Sequence, residues 1–349
     1  RSERLPEVPV AVTELGPGEI ESIFAGWGEP RFRARQLLSW VYERGVLDLA
    51  AMTNLPRALR DRLAAELPAV RSRVAAWHGS PDGTEKALVE LADGQRIESV
   101  LIPEADRATL CVSTQVGCAV RCRFCASGLE GLVRNLTSGE IVEQFLHARE
   151  RLGERPLTNL VVMGMGEPLH NAEALIRALH VLNAEWGPRF GARRITVSTS
   201  GVLRGIARLA EEDAQWNLAL SLHAPNDEVR AELIPHRGVG SVDEILQAGR
   251  DYARAKHRRV TIEYVLLAGV NDRPAHATEL AANLAGSGFH VNLIPYNPVA
   301  GLGYHSPEPR DVDEFARLLE TGGTAVTVRR QRGDQIAAAC GQLRLVAAR

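Results

Sequence analysis

The chain lacks the features that mark membrane proteins and strongly charged nucleic-acid binders. No run of apolar residues approaches the ~18 needed to cross a bilayer, and its start shows no signal-peptide pattern. Its 43 acidic residues nearly balance 41 Lys and Arg, for a formal net charge of −2. We therefore expect a cytoplasmic protein with no membrane association, in which any RNA site depends on local basic patches.

Two common phosphate-binding motifs are also missing. The sequence contains neither the G-x-G-x-x-G fingerprint nor a Walker lysine, so a dinucleotide or triphosphate site is not expected. The chain has 349 residues, of which 45% are hydrophobic and 24% charged, as in an ordinary soluble globular protein. That length is too great for one small domain and suits a barrel with an added module.

Cysteine is scarce, and its distribution is the most informative feature of the chain. Of five cysteines, Cys118, Cys122 and Cys125 fall in GCAVRCRFCASG, and no fourth ligand stands at a familiar spacing. A four-iron cluster takes one thiolate per iron, so three thiolates leave one iron open to a chelating molecule such as S-adenosylmethionine (SAM). A zinc knuckle or a disulfide pair is the alternative, but zinc requires a fourth ligand. The odd count and the clustered trio favour a reducing compartment.

The chain divides into three regions. Residues 1–75 predict a small helical module with a basic edge at Arg31, Arg33 and Arg35, and residues 76–105 predict a β-hairpin extension with turns at Asp-Gly dipeptides. Residues 106–349 alternate strands with helices, which indicates a parallel sheet. Six repeats favour an α/β fold of the partial (β/α)6 barrel type, with a doubly wound open sheet as the alternative. Capping-box spacings at Thr137, Ser241 and Asp311 predict helix starts.

Chemically distinctive segments follow the predicted strands. The cysteine loop follows the first strand, GMGEP the second, STSG the third, SLHAPND the fourth and PYNP the sixth. Because barrel active sites form at the C-terminal strand ends, we expect these segments to meet at one mouth. In GMGEP, Gly166 would let backbone approach a ligand, and Glu167 would accept from an ammonium group or simply begin a helix. The other strand ends carry neutral hydrogen-bonding groups on Ser198, Ser200, Ser221, His223 and Asn297; His223 is equally well interpreted as a core histidine.

Two further cysteines lie outside the trio. Cys111 is on the first barrel strand, and Cys340 is in GDQIAAACGQL near the C-terminus. Each could be a small buried apolar residue. Alternatively, two thiols beside a radical site could form a covalent relay, in which one carries a group and the other releases it by forming a disulfide. Glu98, in RIESVLIPE, is at a strand position that usually faces solvent.

The chain resembles the RlmN-type radical SAM adenine-C2 RNA methyltransferases. The resemblance is carried by CVSTQVGCAVRCRFC, VVMGMGEPL, VSTSGV, SLHAPND, RVTIEYVLLAGVND, NLIPYNP and RGDQIAAACGQL, and runs from about residue 29 to 343. It implies a [4Fe-4S] cluster on the three clustered cysteines. It also implies SAM contacts at positions that match the family's, namely Gly166, Glu167, Ser198, Ser221, Leu222, His223 and Asn297.

The resemblance further implies a reaction with two SAM molecules. The first would methylate Cys340. The second would give a 5′-deoxyadenosyl radical that takes a hydrogen from that methyl group, and the resulting carbon radical would add to C2 of an adenine. Glu98 would remove the C2 proton, and Cys111 would attack Cys340 to release the product and form a disulfide.

The resemblance also implies the partners. The substrates would be an adenosine of 23S rRNA, of the adenosine 2503 kind, and adenosine 37 of some tRNAs, both loop bases that can be splayed out. A flavodoxin or ferredoxin would supply electrons to a monomeric enzyme. Two alternatives remain: a Cfr-type enzyme that methylates C8 of the same rRNA base, and a noncatalytic metal-bound RNA-binding protein.

Overall fold

A single mixed sheet organises the protein. The computed structural model describes residues 10–235, 238–329, 336–339 and 341–343. Within them, ten strands are joined in the order β1-β2-β3-β4-β7-β8-β9-β10-β11-β12, and two short strands, β5 and β6, pair separately. The bounds are β1 Arg73–Gly79, β2 Glu85–Glu90, β3 Arg96–Pro103, β4 Ala108–Cys111, β5 Gln115–Gly117, β6 Leu132–Asn135, β7 Asn159–Val162, β8 Ile195–Thr199, β9 Asn217–Ser221, β10 Thr261–Leu266, β11 His290–Pro295 and β12 Ala325–Val328.

Ten α-helices accompany the strands in the described residues. Three precede the sheet: α1 Pro17–Gly26, α2 Phe32–Leu38 and α3 Arg57–Glu66. The others connect its strands: α4 Ser138–Leu152, α5 Ala172–Asn183, α6 Leu203–Glu211, α7 Asp227–Leu233, α8 Val242–Lys256, α9 Pro274–Leu284 and α10 Pro309–Thr321. None of the described helices combines the length and the apolar character that a membrane span requires.

The strand order confirms the partial barrel. From β4 to β12 the strands are parallel, and their order in the sheet follows their order in the chain. Right-handed crossovers that always advance in one direction put their helices on the same face of the sheet, so the sheet curls around its other face. A doubly wound sheet requires a reversal of strand order, and none occurs among the described strands. Strands β1–β3 extend the sheet antiparallel to β4.

Helix starts follow the sequence in two of three cases. The Thr137 hydroxyl accepts from the Glu140 amide at 3.1 Å while Glu140 accepts from the Thr137 amide at 2.9 Å. Ser241 and Glu244 form the same capping box at the start of α8. The prediction at Asp311 is wrong, because α10 begins two residues earlier at Pro309, which pre-sets the backbone for a first helical position.

A buried carboxylate is among the contacts that join the helical module to the barrel. Glu143, on α4, is 1% exposed. It accepts from the Thr13 hydroxyl at 2.9 Å, from the Arg71 amide at 3.0 Å, and from the Ser72 amide at 2.8 Å and hydroxyl at 2.5 Å. Ser72 also contacts His147 at 3.0 Å. Desolvation raises the pKa of Glu143 despite these donors, so the network holds both ends of the module against α4.

Replacing this carboxylate should destabilise the whole chain. Glu143→Ala leaves the buried donors on Thr13, Arg71 and Ser72 without their acceptor. We expect it to lower the free energy of unfolding by about 3 kcal/mol. Urea unfolding followed by circular dichroism measures the change. Glu150→Ala, at an exposed position on the same helix, is the control and should shift stability by less than about 0.5 kcal/mol. Equal stability of the two variants would contradict the assigned role.

Candidate active site

The C-terminal ends of the parallel strands surround one deep pocket, as the sequence predicts. The empty volume of the pocket is about 940 Å³, which includes the part that is open to solvent. Loops that follow β5, β7, β8, β9 and β11 contribute its walls. The predicted residues found in its lining are Cys118, Cys122, Cys125, Gly166, Glu167, Ser198, Ser200, Ser221, His223 and Asn297.

The cysteine loop is held in place by the small β5–β6 hairpin. The amide of Cys118 donates to the Gly131 carbonyl at 3.0 Å. Gly117 has a positive φ of 77°, and a Cβ there would lie 1.9 Å from the Gly131 oxygen, so only glycine fits. Phe124 is buried in the apolar cluster around the loop, which favours a packing role that also shields the thiols.

The three thiols suit a metal cluster better than a free state. Burial raises the pKa of Cys118 to about 12 and that of Cys122 well above its usual value, and the neighbouring Cys125 raises both further. Thiolates in such a site require compensating positive charge, which a coordinated metal supplies. Among the described residues, no three His, Cys, Asp or Glu side chains are grouped so that they could hold one single metal ion together. In a four-iron cluster, each thiolate binds a different iron, and three soft thiolates are the right donors for one.

Glu167 begins a short helix, as one of the two interpretations of the sequence predicted, and it also lines the pocket. Its Oε1 accepts from the Leu169 amide at 3.0 Å and so caps the 3₁₀ turn Pro168–Asn171. Its Oε2 accepts from the Ser200 amide at 2.7 Å and hydroxyl at 2.8 Å. The carboxylate is therefore fixed in the pocket wall and ties the loop after β7 to the loop after β8. Close packing extends to Gly166, where a Cβ would meet Gln115 at 2.6 Å.

His223 is both a core histidine and a pocket residue. Its Nδ1 accepts from the Val265 amide at 3.0 Å, which puts the ring proton on Nε2. Burial lowers its pKa to about 3, so the ring is a neutral donor at physiological pH. Phe124 packs edge-on against it with ring centroids 5.0 Å apart. Leu222, predicted beside it, is fully buried and does not line the pocket. Its amide donates to the Glu263 carbonyl at 3.1 Å, and its carbonyl accepts from Arg230.

Two buried side-chain oxygens in the pocket wall accept no hydrogen bond from the described residues. Asn297 Oδ1 and Glu263 Oε2 have no hydrogen-bond partner among the described residues. Burial raises the pKa of Glu263, although the nearby Arg329 opposes this rise. Buried acceptors are rarely left without donors, so both indicate a polar ligand. Sequence analysis missed Glu263; the available indication was an acidic residue inside the otherwise apolar strand TIEYVL.

Arg230 is a second residue that the sequence analysis missed. It is 3% exposed and donates to the carbonyl oxygens of Ser200, Ser221 and Leu222. Burial lowers its pKa to about 10, so it stays charged at neutral pH. It thereby holds the loops after β8 and β9 together and brings positive charge near Cys122. Arg230 lies within α7, and the sequence around it shows no pattern that would have identified it.

A second cavity joins Cys111 to the C-terminal segment. It is lined by Cys111, Cys125, Ala339 and Gly341, among others. Cys340 itself lies outside the described residues. The segment around it packs on the cysteine loop, because the Ala126 amide donates to the Gly341 carbonyl at 2.7 Å and the Ser127 hydroxyl to the Leu343 carbonyl at 2.7 Å. The residues on either side of Cys340 thus lie beside both Cys111 and the cysteine loop.

Glu98 is not the solvent-facing residue that its strand position suggested. It is 5% exposed, and its Oε1 lies 2.8 Å from Lys86 Nζ. In the strand register, Val100 is opposite both Lys86 and Cys111. Since alternate residues share a face, Glu98, Lys86 and Cys111 lie on one face of the sheet. The local sequence could not show this, because burial here depends on segments distant in the chain.

Comparisons with known proteins agree with this geometry. The profile of the Radical SAM superfamily matches residues 112–281, and that of the "Ribosomal RNA large subunit methyltransferase N-terminal domain" matches residues 11–68. The chain is 48% identical to the "Probable dual-specificity RNA methyltransferase RlmN" of Symbiobacterium thermophilum, covering 93% of this chain and 89% of that protein. It is 49% identical to the "Dual-specificity RNA methyltransferase RlmN" of Anaeromyxobacter dehalogenans at the same coverage.

A solved structure is similar over nearly the whole chain. The radical SAM methyltransferase from Sphaerobacter thermophilus superposes with a TM-score of 0.93 at 49% identity, covering 96% of this chain and 99% of that one. Members of the superfamily use a [4Fe-4S] cluster and SAM as cofactors. The cluster fits the three clustered thiols, and SAM fits the pocket oxygens that lack hydrogen-bond donors among the described residues.

The thiol trio makes a direct prediction about iron content. Cys122→Ala, reconstituted anaerobically with iron and sulfide, should lose the brown colour and hold well under the roughly four irons per chain expected of the wild type. Cys111→Ala is the matched control and should keep its iron. Iron and sulfide assays with absorption spectra measure both. A colourless wild-type protein that binds zinc would contradict the assignment.

Proposed function

The chain belongs to the RlmN family of radical SAM enzymes, and we propose that it methylates C2 of an adenosine in 23S rRNA, of the adenosine 2503 kind, and adenosine 37 of some tRNAs. The observation that carries the proposal is the second cavity: Ala339 and Gly341, which flank Cys340, line it together with Cys111 and Cys125. A methyl-cysteine relay requires two thiols within reach of each other and of the cofactor site. The names of its relatives describe dual-specificity RNA methyltransferases, which agrees with action on two RNA targets.

The pocket supports the cofactor assignment residue by residue. Cys118, Cys122 and Cys125 would hold the cluster. SAM would be met by polar groups already fixed in place, on Gly166, Glu167, Ser198, Ser221, Leu222, His223 and Asn297. When bound, the cluster and SAM supply the radical that removes hydrogen from a methyl group.

The chain's own groups would perform the remaining steps. The thiolate of Cys340 would take the methyl group of a first SAM, which leaves as S-adenosylhomocysteine, and that carbon, after losing a hydrogen atom, would bond to C2 of adenine. The adduct must then lose one electron, which the oxidised cluster would be able to accept, and Glu98 would take the C2 proton. The Cys111 thiolate would attack the Cys340 sulfur and form a disulfide; the carbon–sulfur bond breaks with its electron pair left on the base, and a proton from solvent completes the methyl group. C2 of adenine is electrophilic, so it has nothing to offer the electrophilic methyl group of SAM, and a carbon carried on the enzyme avoids that obstacle.

The N-terminal module is suited to RNA. The Arg44 guanidinium lies 4.2 Å from the ring centre of Trp40, and that of Arg62 lies 4.4 Å from Trp27. Guanidinium and aromatic planes stack on splayed bases, and arginines attract the phosphate backbone. In this proposal the module holds the RNA. The enzyme would act as a cytoplasmic monomer and would receive electrons from a flavodoxin or ferredoxin.

The modified nucleoside decides between C2 and C8. We expect 23S rRNA from a host that lacks its own C2 enzyme to gain 2-methyladenosine when this chain is expressed. Nucleoside digestion with chromatography and mass spectrometry against both isomers makes the measurement. Finding only 8-methyladenosine would replace the proposal with the Cfr-type reaction, and finding neither would favour the noncatalytic alternative.

The two relay cysteines should fail in different ways. Cys340→Ala removes the carbon carrier and should abolish methylation with no protein–RNA adduct. Cys111→Ala leaves the carrier but not the releasing thiol, so a covalent adduct should accumulate on denaturing gels after anaerobic reaction. Ordinary turnover by Cys111→Ala would refute the releasing role.

A further inference from the structure

Lysine is nearly absent from this chain. Of its 41 Lys and Arg residues, only Lys86 and Lys256 are lysines. Both are buried, at 8% and 7% exposure, and both donate to a backbone carbonyl, Lys86 to Ala337 and Lys256 to Glu212. The chain therefore uses arginine for its surface cations and keeps lysine at two enclosed positions.

The ammonium of Lys86 joins three segments of the chain. It lies 2.8 Å from Glu98 Oε1, with the two side chains 10% and 6% exposed. It also donates to the Ala337 carbonyl at 3.3 Å, three residues before Cys340. The backbone of Glu98 is fixed from the other side, because the Ser113 hydroxyl donates to its carbonyl at 2.6 Å. One cation thus connects strand β2, the carboxylate on β3 and the segment that precedes Cys340.

Stability alone does not explain such a pair. A buried ion pair is usually worth no more than the apolar side chains that could replace it, because desolvation offsets the attraction. Loss of Lys86 alone is different: it removes a cation 2.8 Å from a carboxylate that is only 6% exposed, and losing that nearby positive charge favours the protonated form of the carboxyl group. A protonated Glu98 could not accept a proton from the substrate.

We propose that Lys86 is a positioning residue for the reaction, holding Glu98 ionised and aligned while it ties that base to the chain segment leading to Cys340. The inference rests on the proposed role of Glu98. It predicts that Lys86 acts after the methyl group has been loaded on Cys340, at the step where the C2 proton leaves.

Four variants test this role. Lys86→Met should lower 2-methyladenosine formation by about 100-fold, the usual contribution of a general base. It should still load a methyl group on Cys340, detected by mass spectrometry of the tail peptide, and should accumulate a covalent protein–RNA adduct. Glu98→Gln should behave in the same way, and the double variant should be no slower than Glu98→Gln, since both act through one carboxylate. Lys256→Met, the other buried lysine, is the control and should methylate as the wild type does.

A conservative variant separates charge from folding. Lys86→Arg keeps the cation, and we expect it to give at least about tenfold more product than Lys86→Met. Three results would overturn the proposal: wild-type turnover by Lys86→Met, failure of that variant to load the methyl group, or an Arg variant no better than Met. Normal turnover by Glu98→Gln would instead overturn the assigned base, and with it the proposed function from which this inference starts.

Discussion

The burial of charge at the mouth of the barrel is the constraint on which the rest of the structure depends. Two of the three thiols, Cys118 and Cys122, lie where desolvation opposes their ionisation, so the loop that carries them is suited to function with metal bound. That loop must hold its shape without regular secondary structure. The β5–β6 hairpin, the tight backbone at Gly117 and the contacts to Gly341 and Leu343 provide this support. The C-terminal segment is accordingly part of the site's framework.

The parallel sheet explains how short motifs far apart in sequence become one site. Each strand delivers its following loop to the same edge, and the loops are then tied to one another by charged side chains. Glu167 connects the loop after β7 to that after β8, and Arg230 connects the latter to the loop after β9. Most of their hydrogen bonds go to backbone groups, and Glu167 also accepts from the Ser200 hydroxyl. These contacts fix the shape of the pocket, whose lining also includes His223, Asn297 and Glu263.

The sequence predicted what depends on local pattern. Strand order, the strand-end position of the motifs and the capping boxes at Thr137 and Ser241 all follow from short-range spacing. The burial of Glu98 could not be predicted in this way, since its partner is on another strand. The two Asp-Gly turns contained part of the answer: they bound strand β2, whose pairing with β3 brings Lys86 near Glu98. Glu263 gave only a weak indication and Arg230 none. Their partners, the Asn292 side chain on β11 and backbone carbonyls at or just after the ends of β8 and β9, belong to other parts of the chain.

The charges around the main pocket also explain why SAM suits it. SAM carries a sulfonium, an ammonium and a carboxylate, so its site must offer both signs of charge in a small space. Glu167 provides a carboxylate and Glu263 an acceptor oxygen in the wall, while Arg230 provides positive charge behind the loops. His223 adds a donor without charge, because burial keeps its imidazole neutral. A cationic histidine here would repel the sulfonium, so the low pKa that results from burial is compatible with the proposed role of this pocket as the SAM site.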